Sequence, residues 1–199
     1  ARFVSAKLAR RFVADDPPQS LVQRASAAFL RTDGVIRAVL RTLLLDGLNE
    51  AGPKFKRPAH FVVSALRQLN AQTDGGEALH DYLARMGQPY FSWPTPDGFP
   101  DRAEAWQGNL MPRWQFAMEL AQNQISGTEV DLPRLVEVSG TDTPSGMVRA
   151  FGNLLLGESP TDAVCEALLA VLEEKGAQEA HMPALIVAGL LASPAFQWR

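Results

Sequence analysis

The apolar residues of this 199-residue chain recur at intervals of three and four, which is the spacing of one face of an α-helix. Phe3, Val4, Leu8 and Phe12 follow this spacing at the start, and a broader apolar stripe repeats it over residues 35–45. The alternation of apolar and polar residues that marks a half-buried strand is nearly absent. The pattern therefore predicts an all-α fold, an irregular bundle of about eight helices with a long loop rich in proline and aromatic residues.

The length of the chain, with 46% hydrophobic residues, is enough for one hydrophobic core. We therefore expect a single helical domain over residues 1–199. Residues 122–146 interrupt the helical spacing with Ser, Gly, Thr and Pro, which is compatible with a brief strand or an irregular insertion. Cys165 is the only cysteine, so no internal disulfide can form. The longest uncharged apolar run, residues 182–192, is too short for a membrane span, which takes about 17 to 25 residues.

Charge is distributed unevenly along the chain. Residues 1–70 carry 12 Lys and Arg against 5 Asp and Glu, whereas residues 71–199 carry 7 against 17. Either the two parts face each other or differ only in their solvated surfaces, or the first part binds an anionic partner. A pI near 5.6 argues against nucleic acid as that partner.

No motif with a known catalytic mechanism occurs in the sequence. Phosphate-binding glycine loops, HExxH, paired CxxC motifs and the GxSxG elbow are all missing. His60, His80 and His181 lie far apart, and none has a second His or Cys at metal-ligand spacing. We therefore predict neither a metal site nor a cofactor, and the sequence leaves open whether the protein is an enzyme.

The stretch GQPYFSWPTPDGFP, residues 87–100, holds four aromatic residues and four prolines between two predicted helices. We call it the aromatic loop. Proline lowers the entropy cost of ordering a loop, which indicates a rigid segment. Its rings either plug the protein's own core or form a binding surface for a partner or a glycan. The candidate binding residues are Tyr90, Phe91, Trp93 and Phe99.

Three carboxylates, Asp97, Asp101 and Glu104, are clustered near the aromatic residues. Carboxylates beside aromatic rings are typical of acid/base chemistry on sugars, so these are weak catalytic candidates. The simpler interpretation is structural, since Asp97-Gly98 is a turn dipeptide and Asp101 is placed to cap the helical turn that carries Glu104.

A small basic cluster, Lys54, Lys56 and Arg57, precedes a predicted helix beginning at Pro58. Positive charge at a helix N-terminus is mildly unfavourable because it repels the helix dipole. This cost makes the cluster a candidate anion-binding surface.

Five blocks of this sequence together resemble a bacterial family called domain of unknown function 1800. The blocks keep their order and cover nearly the whole chain: KLARRFVADDP, KFKRPAHFVVSALRQL, GQPYFSWPTPDGFPDRAEAW, LMPRWQFAMEL and LLASPAFQ. The loop departs from the family pattern where Gly98-Phe99-Pro100 stands in place of the common Gly-Trp-Pro, an exchange that preserves an aromatic packing role.

The resemblance implies that this chain is the C-terminal portion of a longer protein, which agrees with the missing initiator Met. It also implies that the full-length protein is exported or periplasmic, and that it has a protein partner from a neighbouring gene family that resembles alkaline-phosphatase-like enzymes. It supplies no catalytic residues. The first hypothesis is therefore an interaction or scaffolding region of an exported bacterial protein. The alternative is an enzyme or carbohydrate-binding module that uses the acidic residues beside the aromatic loop.

Overall fold

The computed structural model describes residues 1–174, 178 and 181–198, and it confirms the all-α class. Eleven α-helices lie in this part of the chain, more than the eight or so expected. Their bounds are α1 Arg2–Phe12, α2 Gln19–Arg31, α3 Ile36–Asp46, α4 Pro58–Gln68, α5 Glu77–Arg85, α6 Met111–Ala121, α7 Leu132–Ser139, α8 Pro144–Leu156, α9 Asp162–Glu174, α10 Met182–Ala192 and α11 Pro194–Gln197.

Short elements fill some of the connections. Two 3₁₀ turns cover Leu48–Glu50 and Ala103–Ala105. The strands β1, Gln72–Thr73, and β2, Thr128–Glu129, pair in antiparallel fashion, with Gln72 opposite Glu129 and Thr73 opposite Thr128.

Region 122–146 is more regular than its sequence suggests, because it contains β2 and the whole of α7. Asp131 caps this helix by accepting a hydrogen bond from the backbone N–H of Arg134 at 2.9 Å. Gly140 ends it with a φ of 67°, a left-handed conformation that glycine adopts without strain. The partly buried Leu132, Leu135 and Val136 pack on the core, so tertiary contacts and caps stabilise a helix of only eight residues.

The described residues divide into two compact units. Unit 1 comprises residues 1–55 and 100–105, and it contains α1, α2 and α3. Its core is small and is made of side chains spaced along one face of each helix: Ala9, Val13, Leu21, Val22, Ala25, Val39 and Leu43. Ala9 belongs to α1 and Val13 directly follows that helix, the next three residues belong to α2, and the last two belong to α3.

Unit 2 comprises residues 56–99 and 106–198 and has the larger core. Phe61 of α4 lies at its centre, with edge-to-face contacts to Phe116 at 5.7 Å and Phe196 at 5.6 Å between ring centroids. The helix α10 is apolar on every side and is enclosed by its neighbours, as expected for such a helix. The proposal of a single helical domain over residues 1–199 stays a prediction.

No helix in the described part of the chain combines the length and the hydrophobicity required to cross a membrane.

Candidate functional site

The aromatic loop begins with an anchor that sequence reasoning did not find. Gln88 is buried, and its side-chain oxygen accepts a hydrogen bond from the backbone N–H of Ala59 at 2.9 Å. Ala59 lies in the first turn of α4, where backbone N–H groups have no partner within the helix. The residue before this helix, Arg57, makes no side-chain cap, so Gln88 supplies the missing acceptor and fixes the start of the loop.

The next two residues extend outward from this anchor. The Tyr90 ring contacts the His80 ring of α5 edge to face, with centroids 5.5 Å apart. The Phe91 ring lies 6.1 Å from that of Tyr90 and is fully exposed, with a relative accessibility of 102%. The structure thus holds Phe91 away from the core.

Phe91 also has an unusual backbone conformation, with a φ of 57°. The other non-glycine residues with positive φ in the described part of the chain are Asp33, Asn70 and Asn123, which are types that tolerate this region. For a bulky residue the left-handed conformation costs about 1–2 kcal/mol. Burial contributes nothing to offset this cost at Phe91.

The second half of the loop closes on itself. Trp93 stacks at a tilt on Phe99, with centroids 4.9 Å apart, and Phe99 lies 6.1 Å from the buried Trp106. The Trp93 ring nitrogen donates a hydrogen bond to an Asp97 carboxylate oxygen at 3.4 Å, and the Thr95 hydroxyl donates to the same oxygen. These contacts leave Trp93 37% exposed on a packed base.

The plug interpretation of the loop is therefore wrong for most of its rings. Tyr90, Phe91 and Trp93 are exposed, and only Phe99 is half-buried. Their role as binding residues stays a prediction. It can be tested by substitution because the side chains are accessible.

The acidic candidates have different structural roles. Asp97 holds the tip of the loop through the hydrogen bonds described above. Asp101 forms an ion pair with Arg11 at 3.1 Å and lies 3.8 Å from the Lys54 ammonium group. These two contacts hold the Asp101 carboxylate within unit 1, which favours a structural role for it. Glu104 is exposed in the 3₁₀ turn.

The cap of that turn also differs from the prediction. The backbone N–H of Ala103 donates to an Asp15 carboxylate oxygen at 2.8 Å, so Asp15 holds the turn instead of Asp101. The other Asp15 oxygen lies 2.5 Å from the ammonium nitrogen of Lys54. Lys54 additionally donates to the backbone oxygen of Arg10 at 2.7 Å and to that of Asp101 at 3.3 Å. One buried ammonium group thus joins three separate segments of unit 1.

The balance of forces on Asp15 follows from this geometry. Burial acts to raise the pKa of its carboxyl group. The hydrogen bond from Lys54, the backbone hydrogen bond from Ala103 and the charges of Lys54 and Arg102 act in the opposite direction and outweigh it. The pKa of Asp15 is therefore below its ordinary value of 3.8, so the carboxylate is ionised at neutral pH.

The predicted basic surface does not form, because two of its three members are buried. Only 8% of the Lys54 side chain is exposed, and its ammonium group is bound within unit 1. The Lys56 ammonium lies 3.6 Å from the centroid of the Phe196 ring in unit 2, a cation–π contact. Arg57 is half-buried, with a guanidinium nitrogen 3.4 Å from the His60 ring nitrogen. These internal contacts offset the unfavourable interaction of the three positive charges with the helix dipole.

Arg113 is a buried charge that sequence reasoning also missed. Its guanidinium group donates to the Gln197 side chain at 2.9 Å and to the Lys56 backbone oxygen at 2.8 Å, and it lies over the Phe61 ring. Burial lowers the pKa of Arg113 to about 10, which still leaves it protonated at neutral pH. Its contacts connect α6 to the segment before α4 and to α11.

An open cavity of about 830 Å³ lies beside the β1–β2 pair. Its described lining is polar apart from Ile125 and Gly127, and it includes Asp74, whose carboxylate accepts a hydrogen bond from the Gly76 backbone N–H at 2.8 Å. No aromatic side chain is among the described residues that line it, so it lacks the flat wall that a sugar ring would stack on. Among the residues that the structure describes, no group of three or more His, Cys, Asp or Glu side chains could hold a metal ion.

Residues 1–198 match the profile of a family described as protein of unknown function, DUF1800. The chain belongs to this family. The DUF1800 match confirms the family predicted from the five sequence blocks, and it names no function. Neither a curated protein nor a solved structure matches the chain.

Proposed function

We propose that this DUF1800 chain is an interaction or scaffolding region of an exported bacterial protein, and that it engages a protein partner through the aromatic loop. The observation that carries the proposal is Phe91, a fully exposed ring on a strained backbone. Strained backbone conformations persist where the surrounding structure imposes them, and they cluster at functional sites. An exposed aromatic residue held in this way is suited to enter a pocket of another protein.

The rigidity of the loop supports the same proposal. Gln88 anchors it to α4, Tyr90 contacts His80, and Trp93 stacks on Phe99. A surface that is ordered before binding loses little conformational entropy on association. Phe, Tyr and Trp are enriched in the buried centres of protein interfaces, and Trp and Tyr are frequent among the residues that dominate their affinity.

The partner that we propose is an alkaline-phosphatase-like protein encoded by a neighbouring gene, as the family resemblance implies. Phe91 and Trp93 would enter an apolar pocket on its surface, with Tyr90 at the edge of the interface.

Isothermal titration calorimetry of the 199-residue chain against that protein tests the proposal. Phe91→Asn removes the ring and places a residue that tolerates positive φ, so the loop backbone keeps its conformation. We expect binding at least tenfold weaker, or about 1.4 kcal/mol. Phe3→Asn, a matched change at another exposed phenylalanine, should leave the affinity unchanged. Equal binding by the parent chain and Phe91→Asn would refute the proposal.

The alternative of a carbohydrate-binding module is favoured by one feature, the Trp93–Phe99 pair beside the Asp97 carboxylate. Aromatic faces next to a hydrogen-bond acceptor suit a sugar ring. A glycan array probed with the parent chain and with Trp93→Ala tests it. Binding to a defined glycan that Trp93→Ala abolishes, in a chain with unchanged circular dichroism, would support this alternative, and no binding to any glycan would exclude it.

A further inference from the structure

The helix α3 of unit 1 carries apolar residues on two opposite sides. Val39 and Leu43 are fully buried in the core of the unit. Leu44 and Leu45, which follow directly, are 48% and 57% exposed, and Leu48 just beyond the helix is 69% exposed. The core therefore accounts for one face of α3, and the leucines on the other face leave about half or more of their surface exposed.

The exposed face also carries two arginines in register with the leucines. At 3.6 residues per turn, Arg37, Arg41 and Leu44 follow one another at intervals of four and three on one side of the helix, and Leu48 lies in the 3₁₀ turn just beyond its end. Over seven residue steps at 1.5 Å each, the helical part of this stripe, from Arg37 to Leu44, is about 10 Å long. Arg37 and Arg41 are exposed, and neither forms an ion pair with any residue that the structure describes.

The acidic groups near the end of the stripe pair with an arginine of another helix. Arg24 of α2 forms ion pairs with Asp46 at 3.4 Å and with Glu50 at 3.2 Å. Neither carboxylate pairs with Arg37 or Arg41, whose guanidinium groups are exposed. The face combines exposed leucines with unpaired guanidinium groups on one convex helix surface.

We infer that this face of α3 binds the surface of an anionic phospholipid bilayer. Leucine side chains can enter the boundary between headgroups and acyl chains, while arginines bind the phosphates at the same depth. A convex helix face fits a fluid bilayer, whereas a protein partner would have to present a matching groove lined with acidic residues. Charge complementarity between the two arginines and anionic headgroups selects anionic over neutral lipid.

Co-sedimentation of the 199-residue chain with vesicles tests the inference. The probes are vesicles of phosphatidylcholine with 30% phosphatidylglycerol and vesicles of phosphatidylcholine alone. We expect binding to the first that weakens as salt is raised, and at least tenfold weaker binding to the second. Each basic residue near an anionic surface contributes about fivefold, so Arg37→Gln with Arg41→Gln should weaken binding about 30-fold.

The pair Leu44→Ser with Leu48→Ser should weaken binding at least tenfold without unfolding the chain, since both side chains are exposed. Val138→Ser and Arg149→Gln, at exposed positions of unit 2, serve as matched controls and should change nothing. Failure of the parent chain to bind anionic vesicles would overturn the inference, and so would binding that survives both pairs of substitutions. Binding only to an acidic protein would overturn it as well.

Discussion

Phe61 and Phe91 show how differently one residue type is used in this chain. Phe61 is fully buried between two other rings, whereas Phe91 is fully exposed at positive φ. We predict that Phe61→Ala lowers the free energy of unfolding by about 3–5 kcal/mol because it empties a core site. Phe91→Gly should leave the free energy of unfolding unchanged or raise it by up to about 1 kcal/mol because it relieves backbone strain. Urea denaturation of both variants measures the contrast, and a large loss in Phe91→Gly would contradict it.

Two adjacent aspartates provide a second contrast at the scale of single residues. Asp15 binds the buried Lys54 and caps the Ala103 turn, whereas Asp16 is exposed and pairs with Arg102. We predict that Asp15→Asn costs about 1–3 kcal/mol at pH 7 because it weakens the charge pairing of a buried ammonium group. Asp16→Asn should cost less than about 1 kcal/mol, as for a surface ion pair. Similar losses for the two variants would show that burial of Lys54 does not matter.

Comparison with Asp15→Asn also shows how the stabilisation by Asp15 depends on pH. The pKa of Asp15 is lower in the folded chain than its ordinary value of 3.8, so the stability it contributes is complete well above pH 3.8. This contribution is lost as pH falls from that value through the lower, folded pKa. The difference in unfolding free energy between the parent chain and Asp15→Asn should therefore be constant from pH 7 to about pH 5 and shrink below about pH 4.

At the scale of elements, α4 depends on a cap supplied from another part of the chain. Gln88→Ala removes the acceptor of the Ala59 N–H, which we expect to cost about 1 kcal/mol, as for other helix caps. Hydrogen exchange of the first turn of α4 should become faster. Gln107→Ala, at an exposed position, is the control and should leave this exchange unchanged. Unaltered protection of Ala59 in Gln88→Ala would mean that the hydrogen bond is not formed.

The packing of α8 against the start of α9 depends on a glycine. A Cβ atom at Gly152 would lie 2.5 Å from the ring of Pro160, closer than real contacts allow. We predict that Gly152→Ala lowers stability by about 1–3 kcal/mol through overpacking. Gly108→Ala, where a Cβ would meet nothing within 4 Å and φ is not positive, is the matched control and should be nearly neutral in thermal unfolding.

At the scale of the whole molecule, the sequence predicts the helices better than it predicts the site. Periodicity is local, so α1, α3 and α4 could be placed from their apolar spacing alone. The partner of Lys54 could not be predicted in this way, because Asp15 lies 39 positions away in the sequence. The cap of the Ala103 turn could not be predicted either, because Asp15 is 88 positions away from it. The burial of Lys54 and Lys56 could not be predicted for the same reason, since the sequence does not distinguish a solvated cluster of charges from a buried one.

The aromatic loop could be located from composition but not oriented. Proline and aromatic residues indicate a rigid segment, whereas the exposure of Phe91 follows from a backbone conformation that the sequence does not encode in any recognisable turn motif. Helix α7 was missed because its eight residues are stabilised by caps and by the core more than by propensity.

We propose that residues 1–199 form one cooperative domain, and calorimetry can test this at the scale of the molecule. One transition is expected, with a calorimetric enthalpy equal to the van't Hoff enthalpy. Two resolved transitions would mean that unit 1 and unit 2 unfold independently.

The discontinuous make-up of unit 1 has a consequence for biosynthesis. Residues 1–55 are synthesised before the segment that supplies Asp101 and the Ala103 turn, and more than forty residues of unit 2 lie between them. During translation α1, α2 and α3 can assemble early, but Lys54 can pair only with Asp15 until Asp101 has been synthesised. A pause in synthesis between residues 55 and 100 would therefore prolong the lifetime of an incomplete unit 1, with its exposed leucines available to chaperones.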